Sequence, residues 1–221
     1  MRLGIFGGSF DPVHHGHLGV ARVCQRQALL DEVWFTPVAR QPLKHAGPRA
    51  TSAQRVEMLR RAIDFAAGEP SEPGGPPPRP PRPTRPPRPR SSWRVCTLEI
   101  DRGGFSYTVD TLRQIHEELP EAELFFLVGA DTLRDVPQWK EPAEIFRLAT
   151  PLVVGRAGQP GPDLTEITSL CRNTTQPRLI EMPEIDVSSS EVRRRLAAGE
   201  SIDELVPPPV AHYIYAQGLY R

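Results

Sequence analysis

The first 28 residues carry the pattern that most restricts how this 221-residue chain can fold. A short apolar segment at residues 2–6 runs into two glycines, Gly7 and Gly8, and an amphipathic segment follows at residues 18–28. An apolar strand joined to an amphipathic helix through a glycine turn is typical of a parallel α/β sheet. The pattern therefore predicts a first strand that ends at the glycines and a helix that packs against the sheet.

Strand and helix patterns keep alternating along the rest of the chain. Further strands are predicted at residues 32–37, 93–100, 124–128, 151–154 and 178–182. Further helices are predicted at residues 51–66, 107–119, 141–148, 189–198, 202–205 and 208–217. This order indicates an α/β fold with a Rossmann-like doubly wound parallel sheet, helices on both faces and a small helical C-terminal part. In such folds, ligands bind at the carboxyl ends of the strands.

One segment interrupts that alternation. Residues 69–92 contain eleven prolines and five arginines but only two acidic residues. A segment of this composition cannot form a packed core. We expect a single domain with a disordered insertion at about residues 69–92. Four of the arginines recur every third residue, which would line one edge of a polyproline II helix. The segment is either a solvated insertion or a docking arm for an acidic or SH3-like partner, or it makes weak contact with nucleic acid.

Charge and cysteine content exclude several classes of function. Lysine plus arginine and aspartate plus glutamate each total 27, so no net charge draws the chain to nucleic acid or to a membrane surface. No apolar run reaches membrane-spanning length, and we expect neither a secretory signal nor a transit peptide. Three widely spaced cysteines form neither a metal pattern nor a disulfide framework, which favours the reducing cytoplasm.

The glycine turn and the histidines behind it predict a phosphate-binding site. Ser9 and Phe10 follow the two glycines, and His14 and His17 flank the predicted start of the first helix. Glycines let the backbone approach a ligand, and a helix N-terminus offers free N–H groups to an anion. Two imidazoles three residues apart lie on one side of a helical turn, where each can donate to a phosphate oxygen. A zinc site is the alternative, but no third ligand is obvious nearby.

A second candidate site lies far downstream, in the sequence Val-Ser-Ser-Ser-Glu-Val-Arg at residues 187–193. Ser188 and Glu191 have the spacing of a capping box and predict a helix start. Ser189 and Ser190 can donate hydroxyl hydrogen bonds to a polyphosphate, and Arg193 adds a fixed charge with a bidentate fork. One sheet could bring both helix starts to the same triphosphate.

These motifs resemble those of the nucleotidylyltransferase superfamily and, more narrowly, of bacterial nicotinate-nucleotide adenylyltransferases. The narrower resemblance rests on the motifs Ser-Tyr-Thr-Val-Asp-Thr-Leu at residues 106–112, Gly-Ala-Asp-Thr-Leu at 129–133 and Pro-Gln-Trp at 137–139. The chain departs from the family pattern after the second strand, where residues 40–45 replace a common Pro-Pro-His-Lys. The resemblance covers the whole chain except the insertion.

The resemblance implies adenylyl transfer from ATP to nicotinate mononucleotide, which gives deamido-NAD and pyrophosphate. It implies catalytic roles for His14, His17 and Arg193. ATP and its phosphates would contact a set of residues around both helix starts: Gly7, Gly8, Ser9, Phe10, Lys44, Ser189 and Ser190. Mg²⁺ is expected to arrive with ATP, held by phosphates and water, with no site made by protein alone.

The resemblance also implies an acceptor site for the mononucleotide. Thr108 at a helix start would receive the nicotinate carboxylate, Trp139 would stack on the pyridine ring, and Asp131 would bind the ribose. A sister enzyme that uses nicotinamide mononucleotide or pantetheine phosphate is the first alternative. A nucleotide-binding adaptor that works through the Pro/Arg segment is an alternative of a different class. The sequence leaves the oligomeric state open.

Overall fold

The structure, a computed structural model, describes residues 1–43, 47–68, 93–156, 176–182 and 187–221. Lys44 and the Pro/Arg insertion at residues 69–92 lie outside these described residues, as does Cys171.

The described strands form one parallel sheet of six strands in the spatial order β3-β2-β1-β4-β5-β6. Their bounds are β1 Arg2–Gly8, β2 Glu32–Pro37, β3 Trp93–Val95, β4 Glu123–Gly129, β5 Ala149–Arg156 and β6 Arg178–Met182. The Rossmann-like doubly wound sheet predicted from the alternation is confirmed.

Helices cover both faces of the sheet. Those in the described residues are α1 His15–Gln27, α2 Ser52–Gly68, α3 Leu98–Arg102, α4 Thr108–Glu118, α5 Pro142–Leu148, α6 Ser189–Ala197 and α7 Pro208–Gln217, with a 3₁₀ helix at Ala130–Gln138. One hydrophobic core lies under α1, α2, α6 and α7, and a second lies under α4 and α5. No helix in these segments is both long enough and apolar enough to cross a membrane.

The central strand of the sheet is buried on both faces, as its apolar sequence predicts. The strand β4 is buried from Leu124 to Val128, which is typical of a central parallel strand. Gly4 of β1 sits where an added Cβ would lie 2.6 Å from the side chain of Leu30. The close approach of Leu30 to the strand therefore leaves little room for a side chain at this position.

Two predicted elements differ from the structure. The strand predicted at residues 93–100 ends at Val95, and α3 begins at Leu98. The helix predicted at residues 202–205 is a turn in which the Ser201 hydroxyl accepts the N–H of Asp203 at 3.2 Å. A capping box opens α2: the N–H of Thr51 donates to the Gln54 side chain at 2.9 Å, and the Gln54 N–H donates to the Thr51 hydroxyl at 3.3 Å.

The sheet positions a site at the carboxyl end of β1. From β1 the chain order runs outward through β2 and β3 on one side and through β4, β5 and β6 on the other. The crevice at such a switch point is where α/β sheets bind ligands. Gly8, Pro37 and Gly129 end the three strands that meet there.

Candidate functional site

The start of α1 orders the two histidines. The backbone N–H of His14 donates to Nδ1 of His17 at 3.2 Å, and the two rings lie with centroids 3.7 Å apart. Because Nδ1 of His17 is an acceptor, the neutral ring carries its proton on Nε2. His17 thus has an N–H donor on the opposite edge of the ring, and its side chain lines the cleft described below.

Both imidazoles are held neutral. Burial lowers the pKa of His14 to about 3, with a smaller contribution from the neighbouring His15. Burial also lowers the pKa of His17 well below its ordinary value, and His14 adds to this shift. The ring of His14 is buried, and its Nδ1 has no hydrogen-bond partner among the described residues. An anion placed beside these rings would favour their protonated forms.

The start of α6 meets the segment that precedes α1. The Ser189 hydroxyl donates to the carbonyl of Pro12 at 2.9 Å, and Nη1 of Arg193 donates to the carbonyl of Asp11 at 2.6 Å. Nη2 of Arg193 donates to the Ser190 hydroxyl at 3.2 Å. The predicted cap is present as well, since the Ser188 hydroxyl accepts the N–H of Glu191 at 3.1 Å. Two segments about 180 residues apart in sequence therefore share one site.

Asp11 joins four parts of the chain at this point. Its buried carboxylate accepts the Tyr220 hydroxyl at 2.7 Å and the N–H of Ala50 at 3.0 Å on one oxygen. The other oxygen accepts the N–H of Arg49 at 2.7 Å and lies 4.0 Å from Nη1 of Arg193. The Asp11 side chain is therefore occupied within the protein, which suits it to hold the loop in place.

Arg55 links the loop after β1 to the loop after β2. Its buried guanidinium donates to the carbonyl of Ser9 at 2.8 Å and to that of Val38 at 2.7 Å. Burial lowers the pKa of Arg55, while the nearby Asp11 and Tyr220 act in the opposite direction. A charge-assisted donor that bridges two strand-end loops sets the spacing between them.

Between these elements lies a cleft of about 310 Å³. Its lining consists of Ser9, Asp11, His17, Val38, Gln41, Gly47, Pro48, Ser189, Ser190 and Arg193. Hydroxyls, an imidazole N–H and a guanidinium surround the space, and such donors bind phosphate oxygens.

The residues of the glycine turn play different parts around this cleft. An added Cβ at Gly7 would meet no atom within 4 Å, so the space beside this glycine is open to a ligand. An added Cβ at Gly8 would lie 3.0 Å from the ring of Phe10. Phe10 has a left-handed backbone (φ 47°) and is fully buried, with its ring centroid 5.0 Å from that of His17. The Phe10 side chain thus supports the site from the core.

The predicted acceptor residues belong to neighbouring elements. Thr108 is the first residue of α4, and Trp139 directly follows the 3₁₀ helix, with its ring centroid 6.4 Å from that of Phe126. Nζ of Lys140 donates to the Asp110 carboxylate at 2.8 Å, which holds the segment after the 3₁₀ helix against α4. The backbone of Asp131 lies in the 3₁₀ helix, and its side chain is outside the described part of the structure.

Sequence reasoning missed the residues that hold the site together. The glycine-turn motif includes Asp11 but indicates no role for it, and no motif points to Arg55 or assigns a part to Tyr220. An acidic residue in a glycine turn after a strand is a signal that could have marked Asp11 as a loop anchor. Arg55 gives no such signal, because an arginine on a helix is ordinarily exposed.

This fold and this site define a nucleotidyltransferase. The chain matches the cytidylyltransferase-like family over residues 5–195. A probable nicotinate-nucleotide adenylyltransferase of Thermus thermophilus is 40% identical over 222 residues, which cover 100% of each chain. Another from Rhodopirellula baltica is 34% identical over 223 residues, covering 99% of this chain and 93% of the relative. The chain therefore belongs to the nicotinate-nucleotide adenylyltransferase family.

A solved structure supports the fold. Nicotinic acid mononucleotide adenylyltransferase of Plasmodium falciparum, complexed with NaAD, aligns with a TM-score of 0.72 at 21% identity and covers 99% of this chain and 97% of its own.

Proposed function

We propose that this protein transfers the adenylyl group of ATP to nicotinate mononucleotide, releasing pyrophosphate and forming deamido-NAD. The observation that carries the proposal is the convergence of two helix starts on one cleft, joined by the contact of Arg193 with the Asp11 carbonyl at 2.6 Å. The choice of acceptor is supported by relatives 34% and 40% identical to the chain, which are probable nicotinate-nucleotide adenylyltransferases.

The proposed chemistry needs no nucleophile from the protein. A phosphate oxygen of the mononucleotide attacks the α-phosphorus of ATP, and the bond from that phosphorus to the oxygen bridging to the β-phosphorus breaks. The pyrophosphate leaves with the electron pair of that bond. The attacking phosphate is already ionised, so catalysis consists of positioning the groups and stabilising charge on phosphoryl oxygens.

Residues of the glycine turn, of the two helix starts and of the loop after β2 have proposed parts in this transfer. His14 and His17 stabilise the α-phosphate oxygens as charge builds on them. Ser189, Ser190 and Arg193 hold the β- and γ-phosphates and the departing pyrophosphate. The guanidinium has five N–H donors, so the contacts of Arg193 with Asp11 and Ser190 leave donors for a phosphate. Gly7, Gly8 and Ser9 let the backbone approach ATP, and Lys44 supplies a further cation.

The acceptor is proposed to bind beside α4. Thr108 at the start of this helix receives the nicotinate carboxylate, where free backbone amides favour an anion. Trp139 covers the pyridine ring, and Asp131 binds the ribose. These three assignments rest on the family motifs at residues 106–112, 129–133 and 137–139.

Mg²⁺ is proposed to enter with ATP. Among the residues that the structure describes, no three histidine, cysteine, aspartate or glutamate side chains are grouped to hold a metal ion. The carboxylate of Asp11 already accepts three hydrogen bonds, from Tyr220, Arg49 and Ala50. Phosphate oxygens and water are therefore the proposed ligands, as Mg²⁺ commonly prefers in nucleotide sites. The reaction is proposed to take place in the cytoplasm.

An acceptor panel tests this function. Pyrophosphate release is measured with ATP and each of nicotinate mononucleotide, nicotinamide mononucleotide and pantetheine phosphate. We expect the fastest turnover with nicotinate mononucleotide, and faster turnover with pantetheine phosphate would overturn the choice of acceptor.

Arg193→Gln should lower turnover by at least about a hundredfold. Arg194→Gln is the matched control, because Arg194 lies on the same helix and pairs with Glu191 and Glu200.

Deleting residues 70–90 tests the adaptor alternative. If the Pro/Arg segment is an insertion, pyrophosphate release should survive the deletion with unchanged preference among acceptors. Loss of activity in a folded deletion variant would instead make the segment part of the working site.

A further inference from the structure

The last tyrosine of the chain is tied to the first loop of the site. The Tyr220 hydroxyl donates to the Asp11 carboxylate at 2.7 Å, across 209 residues of sequence. The tyrosine is buried, and its ring is part of the larger hydrophobic core. Burial raises the pKa of Tyr220, and the bond to Asp11 raises it further, so the hydroxyl stays protonated as a donor.

The same aspartate sets the position of Arg193. Tyr220 binds the carboxylate of Asp11, while Arg193 binds the main-chain carbonyl of Asp11 and lies 4.0 Å from the carboxylate. The N–H groups of Arg49 and Ala50 also donate to the carboxylate. A change in how the carboxylate is held therefore changes the carbonyl to which Arg193 is bonded.

We propose that Tyr220 is a positioning residue that orients Arg193 toward the polyphosphate through Asp11. This inference rests on the proposed function for the identity of the ligand, a nucleoside triphosphate. Tyr220 is not among the residues that line the cleft, whereas Asp11 is, so the tyrosine hydroxyl meets the cleft only through Asp11. Its hydroxyl fixes the carboxylate, and the carboxylate with its own carbonyl fixes the guanidinium that meets the phosphates.

The variant Tyr220→Phe isolates the hydroxyl, because it keeps the ring that packs in the core. Binding of inorganic triphosphate by the full chain is measured by calorimetry, and the KM for ATP and kcat are measured alongside. We expect triphosphate affinity to fall about tenfold and the KM for ATP to rise similarly, while the KM for the mononucleotide stays unchanged. Affinity within twofold of the wild type would overturn the proposal.

Tyr215→Phe is the matched control. It removes another tyrosine hydroxyl from the same end of the chain, one that accepts the N–H of Ile202 at 3.3 Å and lies outside the cleft lining. This variant should bind triphosphate as the wild type does. An equal loss of affinity in both variants would show a general loosening of the C-terminal segment and would overturn the role of Tyr220.

A double-mutant cycle with Arg193→Lys separates positioning from stability. Lysine keeps the charge but cannot reproduce the two contacts of the guanidinium. If Tyr220 acts through Arg193, then Tyr220→Phe should weaken triphosphate binding by less than about twofold in the Arg193→Lys background. Equal effects in both backgrounds would make Tyr220 a purely structural residue.

Hydrogen exchange gives a check that depends on no reaction. The Arg49 and Ala50 amides, which donate to Asp11, should exchange faster in Tyr220→Phe than in Tyr215→Phe. Unchanged exchange at both amides would show that Asp11 is held without Tyr220.

A wild type that binds triphosphate but releases no pyrophosphate with nicotinate mononucleotide would refute the proposed function and leave this inference standing.

Discussion

Acid should destabilise this protein through a histidine that the fold keeps neutral. An unfolded chain binds a proton on histidine near pH 6.5, whereas burial lowers the pKa of His14 to about 3 in the folded chain. Between these values the unfolded chain binds one more proton than the folded chain, so the free energy of unfolding falls as the pH falls. Stability from this group is complete above about pH 6.5 and is lost progressively below it.

The size of the effect follows from the pKa difference. Each pH unit between the two pKa values is worth about 1.4 kcal/mol. A fall from pH 7 to pH 5 crosses roughly 1.5 units of that range, so His14 alone should cost about 2 kcal/mol. His17, whose pKa is also lowered, adds a cost of the same sign.

Urea unfolding of the wild type and of His14→Asn measures this cost. Asparagine has no proton to gain and is a good residue for the N-cap that His14 occupies. Between pH 7 and pH 5 the wild type should lose about 2 kcal/mol more unfolding free energy than His14→Asn, at unchanged slope against urea. The control is His116→Asn, which removes an exposed histidine and should follow the wild type. Parallel curves for the wild type and His14→Asn would refute the reasoning.

Three further predictions concern other parts of the site and sheet. Gly4→Ala should cost about 1–3 kcal/mol by thermal unfolding, since its Cβ would lie 2.6 Å from Leu30; Gly7→Ala, with nothing within 4 Å, should cost less than about 1 kcal/mol. Arg55→Met should cost about 3 kcal/mol and raise the KM for ATP, because the carbonyls of Ser9 and Val38 lose their donor. A fully stable variant would contradict this. Triphosphate binding at pH 6 should take up protons, seen by calorimetry in buffers of different ionisation enthalpy; zero uptake would show that the imidazoles do not meet the phosphates.

Much of the fold follows from local sequence, and one failure shows where local sequence stops being enough. The segment at residues 93–100 is rich in apolar residues and is predicted as a strand, yet β3 ends at Val95. Cys96 donates its N–H to the carbonyl of Phe35, and the next bond of a parallel pair would need an N–H from Pro37, which proline lacks. The strand ends because of its neighbour, which its own residues do not reveal.

The turn at residues 202–205 also makes a long-range contact. The carbonyl of Leu205 accepts the N–H of His15 at 3.0 Å, so it is used by the start of α1. That partner lies about 190 residues away in sequence, beyond the reach of periodicity.

The residues of the candidate site also fall into two groups, those with a local sequence signal and those without one. The two helix starts of the candidate site carry local signals, and the sequence indicates both of them through their glycines, histidines and serines. The residues that hold these starts together, Asp11, Arg55 and Tyr220, act through contacts made only after folding. A buried arginine on α2 and a tyrosine at residue 220 look ordinary until their partners are known.

The bond between Asp11 and Tyr220 has a consequence for biosynthesis. During translation the loop that holds Asp11 leaves the ribosome before its tyrosine partner, which follows 209 residues later. All six strands of the sheet can pair before this bond forms, since the sixth strand ends at Met182. If Tyr220 positions Arg193 as proposed, the candidate site is complete only once residue 220 has emerged, and a polypeptide truncated shortly before that position would keep the sheet but lack this bond.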